Sequence, residues 1–144
     1  MINIPDVNVL IALSWKNHIH HKAARTWFTR SRNELFATCP ITECGFVRLS
    51  MNISVVGEPV SFEIALQALQ TYYALPNYRF LPLEYNFRDM TTSFHLSGHR
   101  QTTDAYLLGT AIKHQGKLVS FDKKIKSILS DHPEAEKHLL LLHH

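Results

Sequence analysis

The sequence predicts a three-layer α/β/α sandwich on a central parallel sheet of four or five strands, and three observations carry that expectation. Short apolar runs at residues 2–6, 34–38, 78–83 and 117–121 alternate with longer stretches of helical periodicity. No internal repeat or low-complexity linker interrupts the series. The 144 residues suffice for one domain, spanning 1–144, whose core needs neither disulfides nor a structural metal. Strands separated by helices pair in parallel and are covered on both faces.

Taken in order, residues 2–6 read as the first strand, and residues 7–13 run on into a helix. Ala24, Trp27 and Phe28 mark the apolar face of the next helix. Residues 34–38 form a short second strand. Pro40, which has no N–H to lose in a first helical turn, then opens a helix running to about Met51. Ser61 caps a helix in which Phe62, Ala65, Leu66, Leu69 and Tyr73 recur at helical spacing, until Pro76-Asn77 breaks it. Residues 78–83 read as a third strand. Thr102 or Thr103 caps a helix beginning near Asp104, with Ala105, Leu108 and Ile112 facing inward and Gly116 as its stop. Residues 117–121 form a strand ending at Asp122, and residues 125–129 turn into one more helix. The tail, residues 138–144, reads either as a fifth, edge strand or, with His143-His144, as an added tag.

Composition narrows the class. With 45% hydrophobic and 19% charged residues there is no apolar run long enough to cross a bilayer. The opening Met1-Ile2-Asn3-Ile4-Pro5-Asp6 lacks the basic and apolar regions of a secretory signal, so the expectation is a cytoplasmic protein. Cys39 and Cys44 match neither a redox pair nor half a zinc site and read as reduced, partly buried small residues. A net charge of +3 permits a polyanionic partner without demanding one. Lys117, Lys123, Lys124 and Lys126 around Asp122 suit a phosphate bound near a metal, although each lysine alone suits a solvated helix face.

Chemistry gathers on four acids. Asp6 and Asp122 end strands on the edge of a parallel sheet where sites form. Asp104 and Glu43 each lie in a first helical turn, where the helix dipole alone would welcome a carboxylate. Singly each has this structural explanation; together they point to a common rim. Such a cluster repels itself, raising carboxylate pKa values, unless divalent cations neutralise it. Magnesium or manganese suits an all-oxygen site completed by substrate phosphate, and two ions roughly 4 Å apart could activate water and stabilise a leaving oxygen.

These segments also resemble the PIN-domain nucleases, in particular the VapC-like toxins of bacterial toxin–antitoxin pairs. Asp6-Val7-Asn8-Val9-Leu10 is similar to the family's opening motif, and Trp15, His18, His20, His21 and Trp27 resemble a His-rich subgroup. Thr42-Glu43-Cys44-Gly45-Phe46-Val47-Arg48, Thr103-Asp104-Ala105-Tyr106-Leu107-Leu108 and Ser120-Phe121-Asp122 follow in the family's order. The resemblance covers about residues 1–130 and is carried by the four-part order rather than by any one motif. It implies a PIN-like fold, magnesium or manganese, endonucleolytic cleavage of RNA that inhibits translation or growth, homodimerisation, and inhibition by a cognate antitoxin. By position, Asp6, Glu43, Asp104 and Asp122 would be the catalytic, metal-binding acids, with Asn8 and Ser120 as supporting polar groups. Arg48, Arg100 and Lys123 would be candidates for RNA contact, with a structural ion pair as the alternative for the two arginines.

Other readings fare less well. A haloacid-dehalogenase-like phosphatase needs a second Asp where Asn8 stands, and an amide cannot shuttle the proton. His95 and His99 have the spacing that places two imidazoles on one helix face, but Leu96 occupies the position of a zinc protease's glutamate. No Gly-x-Ser-x-Gly elbow supports a serine hydrolase. The serious rival is a PIN-like module that binds RNA or protein without cutting. The apolar residues of the Phe62–Tyr73 helix exceed what one sheet face needs, which suggests a dimer or antitoxin surface.

Overall fold

The computed structural model describes residues 1–91 and 94–143; His144 of the closing pair lies outside them. Five strands, β1 (Ile2–Pro5), β2 (Leu35–Thr38), β3 (Tyr78–Phe80), β4 (Lys117–Ser120) and β5 (Leu139–Leu141), form one sheet in the order β3-β2-β1-β4-β5. Every pairing is parallel. The tail thus forms an edge strand, with Leu118 opposite Leu139 and Ser120 opposite Leu141.

Side chains alternate along a strand, so each strand feeds two cores. Phe36 and Val119 face one core with Val9, Leu10, Trp27, Phe46, Ala65 and Leu69. These come from α1 (Val7–Ser14), α2 (His21–Arg30), α3 (Pro40–Ser50) and, after the short α4 (Ile53–Val56), α5 (Phe62–Tyr73). Ile4, Ala37 and Leu118 face the other core, with Leu107 and Leu108 of α7 (Thr102–Lys113) and with Ile125, Ile128 and Leu129. A dry core on each side of a parallel sheet is the three-layer sandwich the sequence predicts.

Local chemistry accounts for the departures. The third strand ends at Phe80 rather than residue 83. Leu81 N–H still reaches the Thr38 carbonyl at 2.9 Å, but Pro82 has no N–H to continue the ladder. Neither Thr102 nor Thr103 caps α7. Gln101 occupies the cap position without a side-chain bond to the helix's own N–H groups, and the Thr102 hydroxyl donates backwards at 2.6 Å to the carbonyl of His99 in the 3-10 turn His99–Gln101. The segment after β4 is a 3-10 helix, Lys123–Leu129, begun by Asp122 Oδ1 accepting from Lys124 N–H at 2.9 Å. Cys39 is buried, but Cys44 is exposed rather than partly buried. The helices α4 and α6 (Phe87–Thr91) and the 3-10 helix Pro133–His138 are too short to show periodicity.

The end of α7 divides its labour between two residues. Gln115, at φ 53°, takes the left-handed conformation, and Gly116 N–H closes the helix on the Ala111 carbonyl at 2.8 Å. Gly116 is needed for space: a Cβ there would lie 2.4 Å from the carbonyl oxygen of Ile2 in β1. Gly116→Ala is therefore expected to lose about 1–3 kcal/mol in chemical denaturation by forcing the backbone apart. Gly98→Ala, with nothing within 4 Å of the added carbon, should stay within about 0.5 kcal/mol of the parent.

Candidate active site

From β1 the chain steps outward through β2 to β3, then crosses to β4 on the other side of β1. The strand order thus reverses between β1 and β4, and it is beyond the carboxyl ends of strands at such a reversal that parallel sheets place their binding crevice. Asp6 follows the last residue of β1, and its N–H donates to the Val119 carbonyl of β4 at 2.8 Å. Its carboxylate caps α1, with Oδ1 accepting from Val7 N–H at 2.8 Å.

Ser120, fully buried at the end of β4, ties the crevice together. Its hydroxyl donates to Asp6 Oδ2 at 2.9 Å and accepts from Asp122 N–H at 3.0 Å and from Asn8 Nδ2 at 3.3 Å. That uses the one donor and both acceptor sites of a hydroxyl, so the Asp6 carboxylate has one orientation that satisfies its neighbours. Asn8 Oδ1 accepts from Phe121 N–H at 3.4 Å, joining α1 to the turn that carries Asp122.

Asp104 enters from the first turn of α7 and shares the same field. Burial pushes its carboxyl up to about 7, with repulsion from Asp6 and Asp122 adding to the effect. Asp6, only 8% exposed, is also raised, chiefly by burial; its bonds from Ser120 and Val7 oppose the shift, and Asp122 adds to it. The donors are all carboxylate oxygens, partly dehydrated and mutually repelling, and this is the chemistry of a hard divalent cation's site. Among the described residues no three His, Cys, Asp or Glu side chains close around a single point. Magnesium does not require that, since it retains several waters and is held by one or two carboxylates plus substrate phosphate.

Glu43 is placed differently. From the first turn of α3 its Oε2 accepts from the Thr38 hydroxyl at 2.6 Å and the Tyr78 hydroxyl at 3.4 Å, and its Oε1 accepts from the Tyr73 hydroxyl at 2.5 Å. The charges that raise Asp6 and Asp104 come from within the aspartate group and do not include Glu43. Thr38, Tyr73 and Tyr78 were not singled out as site residues by the sequence. Thr38 carried a signal, since it ends β2 as Pro5 ends β1 and Ser120 ends β4. Tyr73 was read as part of a helical apolar stripe, which concealed its hydroxyl.

The basic candidates are exposed: Arg48 on α3, Arg100 in the turn before α7, and Lys123 beside Asp122. Neither arginine forms an ion pair among the described residues. His95 lies in a loop and His99 opens a 3-10 turn, so they do not share the helix face their spacing suggested. His20 stacks on Phe121 at 4.7 Å between ring centroids, and His21 Nδ1 lies 2.8 Å from the Ala12 carbonyl. Burial and the neighbouring His20 and His21 lower the pKa of His18.

The PIN domain family model matches residues 4–137. Ribonuclease VapC38 of Mycobacterium tuberculosis is 37% identical over 137 residues, covering 95% of this chain and 96% of that protein. Ribonuclease VapC39 of the same species is 40% identical over 129 residues, covering 85% and 89%. Among solved structures, VapBC2 from Rickettsia felis bound to a DNA fragment from their promoter gives a TM-score of 0.67 at 16% identity, covering 99% of this chain and 100% of that one. VapC20 of Mycobacterium tuberculosis, a sarcin-ricin loop cleaving toxin, gives 0.65 at 12% identity, covering 87% and 93%. The chain belongs to the PIN-domain family. Within that family it is a VapC-like member.

The raised carboxyls set the sign of a pH effect. A carboxyl whose folded pKa lies above 3.8 binds its proton more tightly in the native state. That stabilisation is complete below pH 3.8 and is lost as pH rises to about 7. With chelator present, the melting temperature should fall across this window, and Asp104→Asn should flatten the fall. Added magnesium or manganese should restore stability at pH 8 far more than at pH 5.

Proposed function

We propose that this protein is a metal-dependent endoribonuclease and the toxin of a toxin–antitoxin pair. The observation that carries the reading is the crevice between β1 and β4, where Ser120 fixes Asp6 and where Asp6 and Asp122 raise the carboxyl of Asp104. Asp6, Asp104 and Asp122, with Glu43 from the α3 side, would hold magnesium or manganese. Bound there, the metal would supply activated water and neutralise charge on the phosphodiester and its leaving oxygen. The chain's own part is to hold Asp6 through Ser120 and Val7 N–H, to brace the Asp122 turn through Asn8, and to exclude bulk water from the floor of the crevice. Arg48, Arg100 and Lys123 are candidate contacts for RNA phosphates.

The relatives named ribonucleases, and a fold neighbour that cleaves the sarcin-ricin loop, favour RNA as the substrate. The VapBC2 fold neighbour favours an antitoxin partner. No helix among the described residues is long and apolar enough to cross a membrane. Met51, Ile53, Phe62 and Leu66 are exposed near α4 and the start of α5, and we assign this apolar surface to a homodimer.

Purified free of antitoxin, the protein is expected to cleave RNA only with magnesium or manganese. Asp6→Asn should abolish cleavage, and Ser120→Ala should lower activity or metal affinity by about 10–100-fold through loss of the group that orients Asp6. Tight RNA retention without cleavage under any divalent ion would instead identify a binding module. Light scattering should report a dimer at micromolar concentration, and a strict monomer would refute that assignment.

A further inference from the structure

At the other end of the sheet from the aspartates, a cavity of about 370 Å³ opens between α6, α7 and the 3-10 helix Pro133–His138. Gly116 and His138, which precede β4 and β5, mark that end, whereas Asp6, Ser120 and Asp122 lie where the strands finish. The cavity walls are apolar: Met90 and Ala135 are buried, and Phe94 and Ile112 complete them. The Met90 carbonyl oxygen fills the space that a Cβ on Gly109 would need, so α6 is fixed on α7 by backbone contact. His138 adds one polar group. It is only 9% exposed, and its Nδ1 lies 2.7 Å from the Gly116 carbonyl oxygen, which can only accept. Nδ1 therefore carries the ring proton, and in the neutral imidazole Nε2 keeps a bare lone pair. That atom has no partner among the described residues and is not sealed from solvent, so it faces the cavity that His138 lines.

We propose that this cavity binds a small, neutral aromatic molecule about the size of indole, whose single hydrogen-bond donor meets His138 Nε2. The site is separate from the aspartate crevice and independent of the ribonuclease reading. Charge at the rim gives an ionic ligand no purchase. Asp89 and Glu134 are matched by Lys113 and Lys137, Glu134 lies 3.3 Å from His132 Nδ1, and the Lys113 ammonium stands 4.3 Å over the Tyr85 ring. A flat ring suits the walls, where the Met90 thioether joins Phe94 and His132, set edge-on at 6.2 Å between centroids. An apolar cavity of about 150 Å³ already holds benzene, so this one has room for two fused rings. Water is poorly held there, since it needs about two to four polar partners and the apolar walls add only Nε2. A ring that displaces such water gains apolar contact and loses few hydrogen bonds. One donor on one buried acceptor then sets the selectivity.

The probes are indole and N-methylindole, which has the same rings without the N–H, titrated into the full chain and followed by proton–nitrogen correlation NMR. Indole is expected to shift the amides of Gly109, Ile112 and Ala135 saturably and to move the Nε2 resonance of His138. N-methylindole should bind about 2- to 12-fold more weakly. His138→Asn keeps a donor for the Gly116 carbonyl but removes the acceptor, so in that variant the two probes should bind alike. Ala135→Leu fills the cavity and should weaken both, with an otherwise unchanged spectrum reporting an intact fold. Equal affinity for the two probes in the parent overturns the proposal, as does a preference for indole that survives His138→Asn. Shifts that fall outside the cavity, or that stay unsaturated at the solubility limit of indole, overturn it as well. RNA cleavage enters none of these readouts, so the result stands whether or not the ribonuclease reading does.

Discussion

The pairing of β1 with β4 is the constraint on which the rest of the molecule depends. It joins strands that are far apart in sequence, with Asn3 opposite Lys117 and Pro5 opposite Val119, and so brings Asp6 to Ser120 and Asp122. Parallel strands cannot be joined by a tight turn, so this juxtaposition requires the whole excursion through β2, β3 and α7. The excursion also forms the crevice: helices of the outward steps lie on one face, α7 lies on the other, and the two sets part above the β1–β4 seam. Gly116 shows how closely the seam is packed, because the turn into β4 approaches the backbone of Ile2 too nearly for any Cβ.

That geometry sets the folded state against itself locally. Burial and shared charge push Asp104 and Asp6 upward, so the two large cores must outweigh an electrostatic cost at the sheet's rim. The cost is confined by hydrogen bonding. The Ser120 hydroxyl gives its only proton to Asp6 and takes two from Asn8 and Asp122, leaving the aspartate no cheaper rotamer. A site strained by charge but rigid in position would need little rearrangement if a cation relieved the repulsion.

What could be read in the sequence followed from periodicity and punctuation. Residues 7–13 and 102–113 carry enough apolar repeats to announce helices, Ser61 accepts from Ile64 N–H as a cap should, and each strand was visible as a short apolar run. The positions of Asp6 and Asp122 at strand ends were legible for the same reason. Side-chain partnerships between distant segments were not. Nothing in the local sequence of Tyr73 or Tyr78 announces that both hydroxyls turn toward Glu43, since that depends on α5 lying over β2 and β3. The Thr102 hydroxyl was misread because a cap was inferred from residue type alone, and a preceding 3-10 turn offered it a nearer carbonyl. At Gly116 the residue type was informative, but the reason lay in the closeness of β1 rather than in a left-handed φ.

The two sides of the crevice are consequently built on different principles. On the β1–β4 side, acids are held by one buried serine and by backbone N–H groups, between strands paired on both sides, so there is little freedom to move. On the β3 side, Glu43 is held by three hydroxyls, two of them on tyrosines whose rings reach solvent and one of those at the end of a helix. The β3 strand is an edge strand, paired only with β2, and its Phe80 is half-exposed. Reorganising this side breaks a few hydroxyl bonds that water can replace, whereas reorganising the other would strand a buried carboxylate. The aspartates around Ser120 are therefore held rigidly, whereas the hydroxyls around Glu43 can adjust.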